Sequence, residues 1–193
     1  MSADDEHIPT PGETLQALLA LGALDALPRT GWLLRGIQPA ETVAGHLVGV
    51  SHMALALAPR VDLPLDLGRV LAMAVLHDAP EAGSGDIPGP AAARLAPGQK
   101  RALEASLADD LLAPLSPMAR AAFEEYQAQE SPEARFIKAC DRLQLGVKLL
   151  GYERAGWRGL DEFWSTMDRS LFEAFAPCLE LYDALIRSRR GES

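Results

Sequence analysis

Cysteine is scarce in this chain, with two residues, Cys140 and Cys178, in 193. They lie far apart, outside any CxxC pair and away from any histidine, so a disulfide framework is not expected. Inert buried thiols in a reducing compartment are. Basic charge is also short: 18 Lys and Arg stand against 27 Asp and Glu, a net charge of −9. An acidic surface repels phosphate backbones, which argues against nucleic acid and against an anionic membrane as partners. Taken alone, it also argues against a phosphorylated substrate. Long apolar runs are missing too. The segment Leu71–Leu76 is among the longest, far below the ~20 residues that span a bilayer. The first ten residues are acidic and polar, unlike a secretory signal with its basic start and apolar middle. A soluble, cytoplasmic protein is expected.

Strand signals are equally sparse: there are no long β-branched runs and no Asn-Gly hairpins. Ala and Leu together make up roughly one residue in three, and both favour helix. With 48% hydrophobic residues, disorder is excluded and a core can form without staples. The expectation is one all-α domain over residues 12–190, preceded by a disordered tail over 1–11, with no internal repeat or linker.

Proline and glycine punctuate that domain. Helices are expected over 14–27, 41–58 and from a cap at Asp66 to His77. Two more follow over 98–112 and 116–129. Ser131 with Pro132 starts a long helix whose Phe136, Ile137, Cys140, Leu143, Val147 and Leu150 share one face. A last helix is expected over 160–189, broken at Pro177. Between them, 29–39 reads as a loop, and so does the Gly- and Pro-dense stretch 80–90.

That second loop carries the chemistry-bearing residues. His77 and Asp78 end an apolar helix, and Glu81 lies one turn further on. Pro80 disfavours helix at Ala79, and placing Pro80 in the first turn of a new short helix still keeps Glu81 close. Asp86 adds a carboxylate. His46 sits on an apolar helix face, whereas His52 lies roughly 240° further round at about 100° per residue. At most one of the two can serve a given site. His7 falls in the expected tail. Asp141 lies between Cys140 and Leu143, where a carboxylate is costly unless it is paired, to Lys138 for example, or bound to metal.

The order His46, His77-Asp78 and Asp141 resembles the HD superfamily of metal-dependent phosphohydrolases. The segments PRTGW (28–32), ETVAGH (41–46), HDAPEAGSGDIP (77–88) and SPEARFIKACDRLQ (131–144) extend the resemblance to the HD-domain 5′-deoxynucleotidases. The resemblance implies a helical HD-domain fold of about six to eight helices and a homodimer, with an apolar final helix as a contact. It makes His46, His77, Asp78 and Asp141 the ligands of one divalent ion, and Glu81 and Asp86 the catalytic carboxylates. Arg29, Trp32 and Arg35 become the substrate-binding residues. Gly45, where an acidic residue commonly precedes the first ligand, and Pro80, in a turn that usually lacks proline, depart from the pattern without removing a ligand.

The donor chemistry agrees. Two imidazoles and two carboxylates without a thiolate suit Mn, Co, Fe, Zn or Mg rather than a structural cysteine-zinc site. The implied activity is phosphate release from deoxyribonucleoside 5′-monophosphates. A second reading keeps the fold and changes the small phosphorylated substrate. Dinuclear HD phosphodiesterases need more histidines than His52 and His7 supply, and guanosine-tetraphosphate hydrolases carry Glu-Asp where this chain has Ala-Pro-Glu-Ala. A third reading, from a different class, is a non-catalytic nucleotide-binding regulator, which would have no need of Glu81 and Asp86 beside all four ligands.

Overall fold

Seven helices of ten residues or more carry the architecture of the computed structural model, which describes residues 8–192. In chain order they are α1 (Pro11–Leu21), α3 (Val43–Leu57), α4 (Leu67–Leu76), α7 (Gln99–Leu111), α8 (Pro117–Ala128), α9 (Pro132–Arg154) and α11 (Ala176–Arg189). Four shorter helices lie between them: α2 (Thr30–Leu33), α5 (Glu81–Ser84), α6 (Gly89–Ala92) and α10 (Asp161–Ser165). Three 3₁₀ turns complete the set among the described residues. The long helices match the expected number, and the excess is single-turn pieces. Among the described residues there is no strand, only an isolated bridge between Pro28 and Thr42.

Side-chain caps set most of the starts. Thr42, Asp66, Ser116 and Ser131 each accept from a backbone N–H in the first turn of the helix that follows, and this satisfies donors that have no intrahelical partner. Thr10 and Glu13 form a capping box, so α1 begins at Pro11, three residues earlier than the apolar pattern indicates. It also ends sooner, and Gly22–Asp25 is a 3₁₀ turn. The expected disordered tail lies, through His7, outside the described residues.

Two other expectations change. The stretch 29–39 contains the helical turn α2, with Trp32 buried inside it. The final helix is not continuous from 160 and is not broken at Pro177. It is interrupted between Ser165 and Ala176, and Pro177 sits in the first turn of α11, where its missing N–H costs nothing.

Helix α9 is the element the others share: it packs against α3, α4, α8, α10 and α11. Phe136, Ile137, Cys140, Leu143 and Leu149 on it are fully buried. Val147, expected inside, is 46% exposed. Gly146 takes the inner position because the Met167 and Leu185 side chains crowd that spot, leaving no room for a Cβ. Cys140 and Cys178 are both buried free thiols, as expected. No described helix is long and apolar enough to cross a membrane.

Leu143 is fully buried in the main core cluster, whereas Leu15 is 54% exposed. Leu143→Ala is therefore expected to cost about 2–5 kcal/mol in urea unfolding, and Leu15→Ala to stay within about 0.5 kcal/mol. Equal effects would contradict this placement of the core.

Candidate metal centre

Three packed helices, α3, α4 and α9, bring four of the sequence-predicted residues together. His46 projects from α3 with no exposed surface, His77 caps the C-terminus of α4, and Asp141 lies in α9. Successive helical residues diverge by about 100°, so His77 and Asp78 can aim at one point only if the helix stops between them. It does: 77–80 is a turn, and the Glu81 N–H donates to the Asp78 carbonyl at 3.0 Å. Pro80 then leads into α5, whose first residue is Glu81.

The donor atoms converge. His46 Nε2 lies 3.3 Å from His77 Nε2 and 3.3 Å from Asp141 Oδ1. Asp78 Oδ2 is 3.5 Å from each histidine Nε2. His46, His77 and Asp78 each place one donor atom within 4.8 Å of the other two. Such spacing suits neighbouring donors on one small cation with bonds of about 2.0–2.3 Å.

Tautomers sharpen the fit. His77 Nδ1 faces the Ala74 carbonyl at 3.0 Å, so it carries the proton and leaves Nε2 bare. His46 Nδ1 faces Gln144 Oε1 at 2.7 Å, with the same result. Two lone pairs thus point at each other beside two carboxylates. Burial holds the His77 imidazole below its ordinary pKa, so a proton is a poor bridge near neutral pH. A divalent cation is a good one.

Burial alone would raise Asp78, but His77, His46 and Arg29 outweigh it and keep this carboxylate below its ordinary range. Asp141 likewise stays well below it, because Lys138, His46 and His77 outweigh burial. Lys138 Nζ is 3.1 Å from Asp141 Oδ2, so the pairing weighed from sequence and the approach to His46 coexist on opposite oxygens. Tyr126 also reaches this carboxylate, with its hydroxyl 3.5 Å from Oδ2.

Glu81 behaves oppositely. Desolvation, reinforced by Asp78 and Asp86, pushes it up to about 9. Its Oε2 is buried without a hydrogen-bond partner. A carboxyl in that state can keep or release a proton according to the charge placed near it. Asp86 is fixed differently: its Oδ2 accepts the Thr30 N–H, while its carbonyl accepts from the Thr30 hydroxyl at 2.8 Å. These bonds tie the 80–90 segment to α2.

Arg29, Asp78, Glu81, Asp86 and Asp141 line one cleft of about 570 Å³. Arg29 is held there by the Pro28–Thr42 bridge, with its N–H donating to the Glu41 carbonyl at 2.8 Å. Its Nη1 lies 3.4 Å from Asp78 Oδ2. Trp32 also borders the cleft, but it is 2% exposed, with its ring against Tyr152 and Phe163. Arg35 is at the rim, ion-paired to Glu162 and 5.8 Å from the Phe163 ring centre. His52 is exposed on the other side of α3, and His7 is outside the described residues.

Sequence reasoning assigned no role to Glu41, Gln144, Tyr126, Lys100, Arg142 or Phe163. Gln144 lies one helical turn after Asp141 and Glu41 one residue before the α3 cap, so position could have singled them out. Lys100, Arg142 and Phe163 reach the cleft from α7, α9 and α10 through tertiary packing that carries no local pattern.

The HD domain family profile matches residues 21–176. A Danio rerio protein named 5′-deoxynucleotidase HDDC2 is 33% identical over 144 residues, covering 72% of this chain and 69% of that protein. The solved structure of a conserved hypothetical protein from Pyrococcus furiosus aligns with a TM-score of 0.77 at 30% identity, over 91% of this chain and 99% of that one. One from Magnetospirillum magnetotacticum MS-1, described as a predicted metal-dependent phosphohydrolase, aligns at 0.66 and 26% identity, over 94% and 97%.

The raised Glu81 gives a pH test on metal-free protein. The unfolded chain releases this proton near 4.5, the folded chain near 9. Glu81 protonation therefore stabilises the fold fully below 4.5, and the contribution is lost as pH rises toward 9. Relative to Glu81→Gln, whose neutral amide does not titrate, wild-type unfolding free energy is expected to fall between pH 5 and pH 9. A constant difference would contradict the buried, raised carboxyl.

Proposed function

Because the chain belongs to the HD-domain family, we propose that it is a metal-dependent phosphomonoesterase acting on deoxyribonucleoside 5′-monophosphates. The observation that carries this reading is the convergence of His46, His77, Asp78 and Asp141 beside the orphaned Glu81 carboxyl in one cleft. A nucleotidase of this class is the activity named for the Danio rerio relative.

In this reading the four residues hold one divalent ion of the Mn, Co, Fe, Zn or Mg group. When bound, such an ion offsets phosphoryl charge and makes water a better nucleophile near neutral pH. Arg29, half-buried beside Asp78 and with a planar fork of donors, pairs with phosphate oxygens. With the charge of a bound dication drawing its pKa down, Glu81 would orient the attacking water and take its proton at Oε2. Asp86, pinned by Thr30, faces the leaving 5′-oxygen and supports its protonation. Trp32 forms the wall behind the sugar, while Arg35 and Phe163 border the base at the rim.

The cleft volume, about 570 Å³, suits a mononucleotide. A cytoplasmic setting fits the two free, buried cysteines. The homodimer fits α3, which has no charged residue yet leaves Val48 54% and Leu55 47% exposed. The final helix is a weaker contact, since none of the large exposed apolar residues lies on α11. Light scattering at twice the 20.7 kDa chain mass would support the dimer.

The decisive experiment measures phosphate release from ribo- and deoxyribonucleoside 5′-monophosphates with Mn, Co or Mg added separately. Turnover of the deoxyribonucleotides is expected, and silence on every monophosphate would defeat the reading. His77→Ala and Asp141→Ala should each lose bound metal and activity together, and undiminished metal in both would remove these residues from the ligand set. Glu81→Gln should retain metal and lose about 10²–10⁴-fold in rate. Wild-type turnover in that variant would exclude Glu81 from proton transfer.

A further inference from the structure

His46 is held by more than its own helix. Gln144 Oε1 is 2.7 Å from its Nδ1, and Gln144 Nε2 donates to Glu41 Oε1 at 2.7 Å. Glu41 is itself buried, at 8% exposure. Its carboxylate accepts from Trp32 Nε1 at 3.3 Å and lies 3.3 Å from Lys148 Nζ. A hydrogen-bonded chain thus runs from the cleft wall at Trp32, through Glu41 and Gln144, to the His46 imidazole.

The direction of that chain follows from Glu41. An ionised carboxylate only accepts, so the Gln144 amide must present its nitrogen to Glu41 and its oxygen to His46. His46 must then donate from Nδ1, which leaves Nε2 as a bare lone pair toward His77, Asp78 and Asp141. With the amide turned over, its NH₂ would face Nδ1 and favour the tautomer protonated on Nε2, which has no lone pair to give there. Glu41 therefore selects the tautomer at a distance of two hydrogen bonds.

A backbone feature is fitted to the same chain. Gly49 lies inside α3, where glycine is less favourable than alanine. A Cβ there would come within 2.8 Å of Gln144 Nε2 and 2.9 Å of its Cγ. Gln144 crosses α3 in the notch that Gly49 leaves, one helical turn beyond His46.

We propose that Glu41 and Gln144, seated against Gly49, are positioning residues that fix the His46 tautomer and so set the affinity of the centre for metal. The inference rests on His46 being a ligand, and it adds a device for keeping that ligand ready. Three variants of the full chain test it: Glu41→Gln, Gln144→Leu and Gly49→Ala. None alters a ligand, and Gly49→Ala alters neither relay side chain. Binding of Mn, Co and Zn is measured by competition with a chelator, and the His46 tautomer by long-range ¹H–¹⁵N spectra of the metal-free, histidine-labelled protein. Each variant that folds is expected to bind metal about 10–100-fold more weakly, with the Nδ1–H form of His46 lost or mixed. The exchange Glu41→Gln with Gln144→Glu puts a carboxylate directly on Nδ1 and should restore affinity to within about threefold of wild type.

Affinity within about twofold of wild type in Glu41→Gln and Gly49→Ala, with the Nδ1–H form intact, would overturn the proposal. So would an exchanged double variant that folds normally yet stays weak. Because metal is read directly, a chain inactive on every monophosphate would refute the proposed activity while leaving this inference standing. A wild-type chain that takes up none of the three metals would refute the inference itself.

Discussion

Everything near the cleft is arranged around two imidazole nitrogens that face each other at 3.3 Å with carboxylates beside them. In a helix bundle, interior positions ordinarily go to leucine or phenylalanine, and a buried polar group costs free energy unless it is partnered. These groups partner one another only in part, since facing lone pairs do not bond. The helices accept that cost and are shaped by it. Helix α4 must end at His77 so that Asp78 can turn to the same point. Helix α9 must run unbroken through Asp141 and Gln144. Helix α3 keeps Gly49 where alanine would propagate the helix better, because a Cβ there would meet Gln144. Each is a local concession to the centre, and the apolar contacts of Phe136, Leu143 and Val50 nearby hold the bundle together around it.

The parts of this arrangement that could be read from sequence are those with a local signature. Ser131-Pro132 and Asp66 announce helix starts because caps act within one turn. His77-Asp78 followed by Pro80 announces a helix end. Asp141 is conspicuous because a carboxylate between Cys140 and Leu143 needs a reason. What stayed hidden depends on tertiary placement. Trp32 lies in a stretch that reads as loop, yet it is buried with its N–H directed at Glu41. Arg35 is drawn to Glu162, 127 residues away in sequence. The chain breaks before α11 in a stretch that buries Phe172 and Phe175, and Pro177 opens the next helix rather than ending one. Their places, one residue before the α3 cap and one turn after Asp141, could mark Glu41 and Gln144 singly, but neither residue type signals its partner 103 positions distant.

Net charge shows the same division between global composition and local geometry. A total of −9 suggests that any phosphate ester would be repelled. Yet the cleft gathers Arg29, Arg35, Lys100, Lys138 and Arg142 around its four carboxylates and Glu162, and Asp78 and Asp141 are stabilised as anions by the cations and imidazoles about them. A bound dication would be the largest single charge there. Surface charge acts over about a Debye length, ~8–10 Å at ordinary salt, so it weighs most on ligands long enough to track the surface. A mononucleotide enclosed in the cleft meets the local field. The net acidic charge thus weighs most against long polyanions, and within the cleft the opposed cations and carboxylates set the field that a small phosphate would meet.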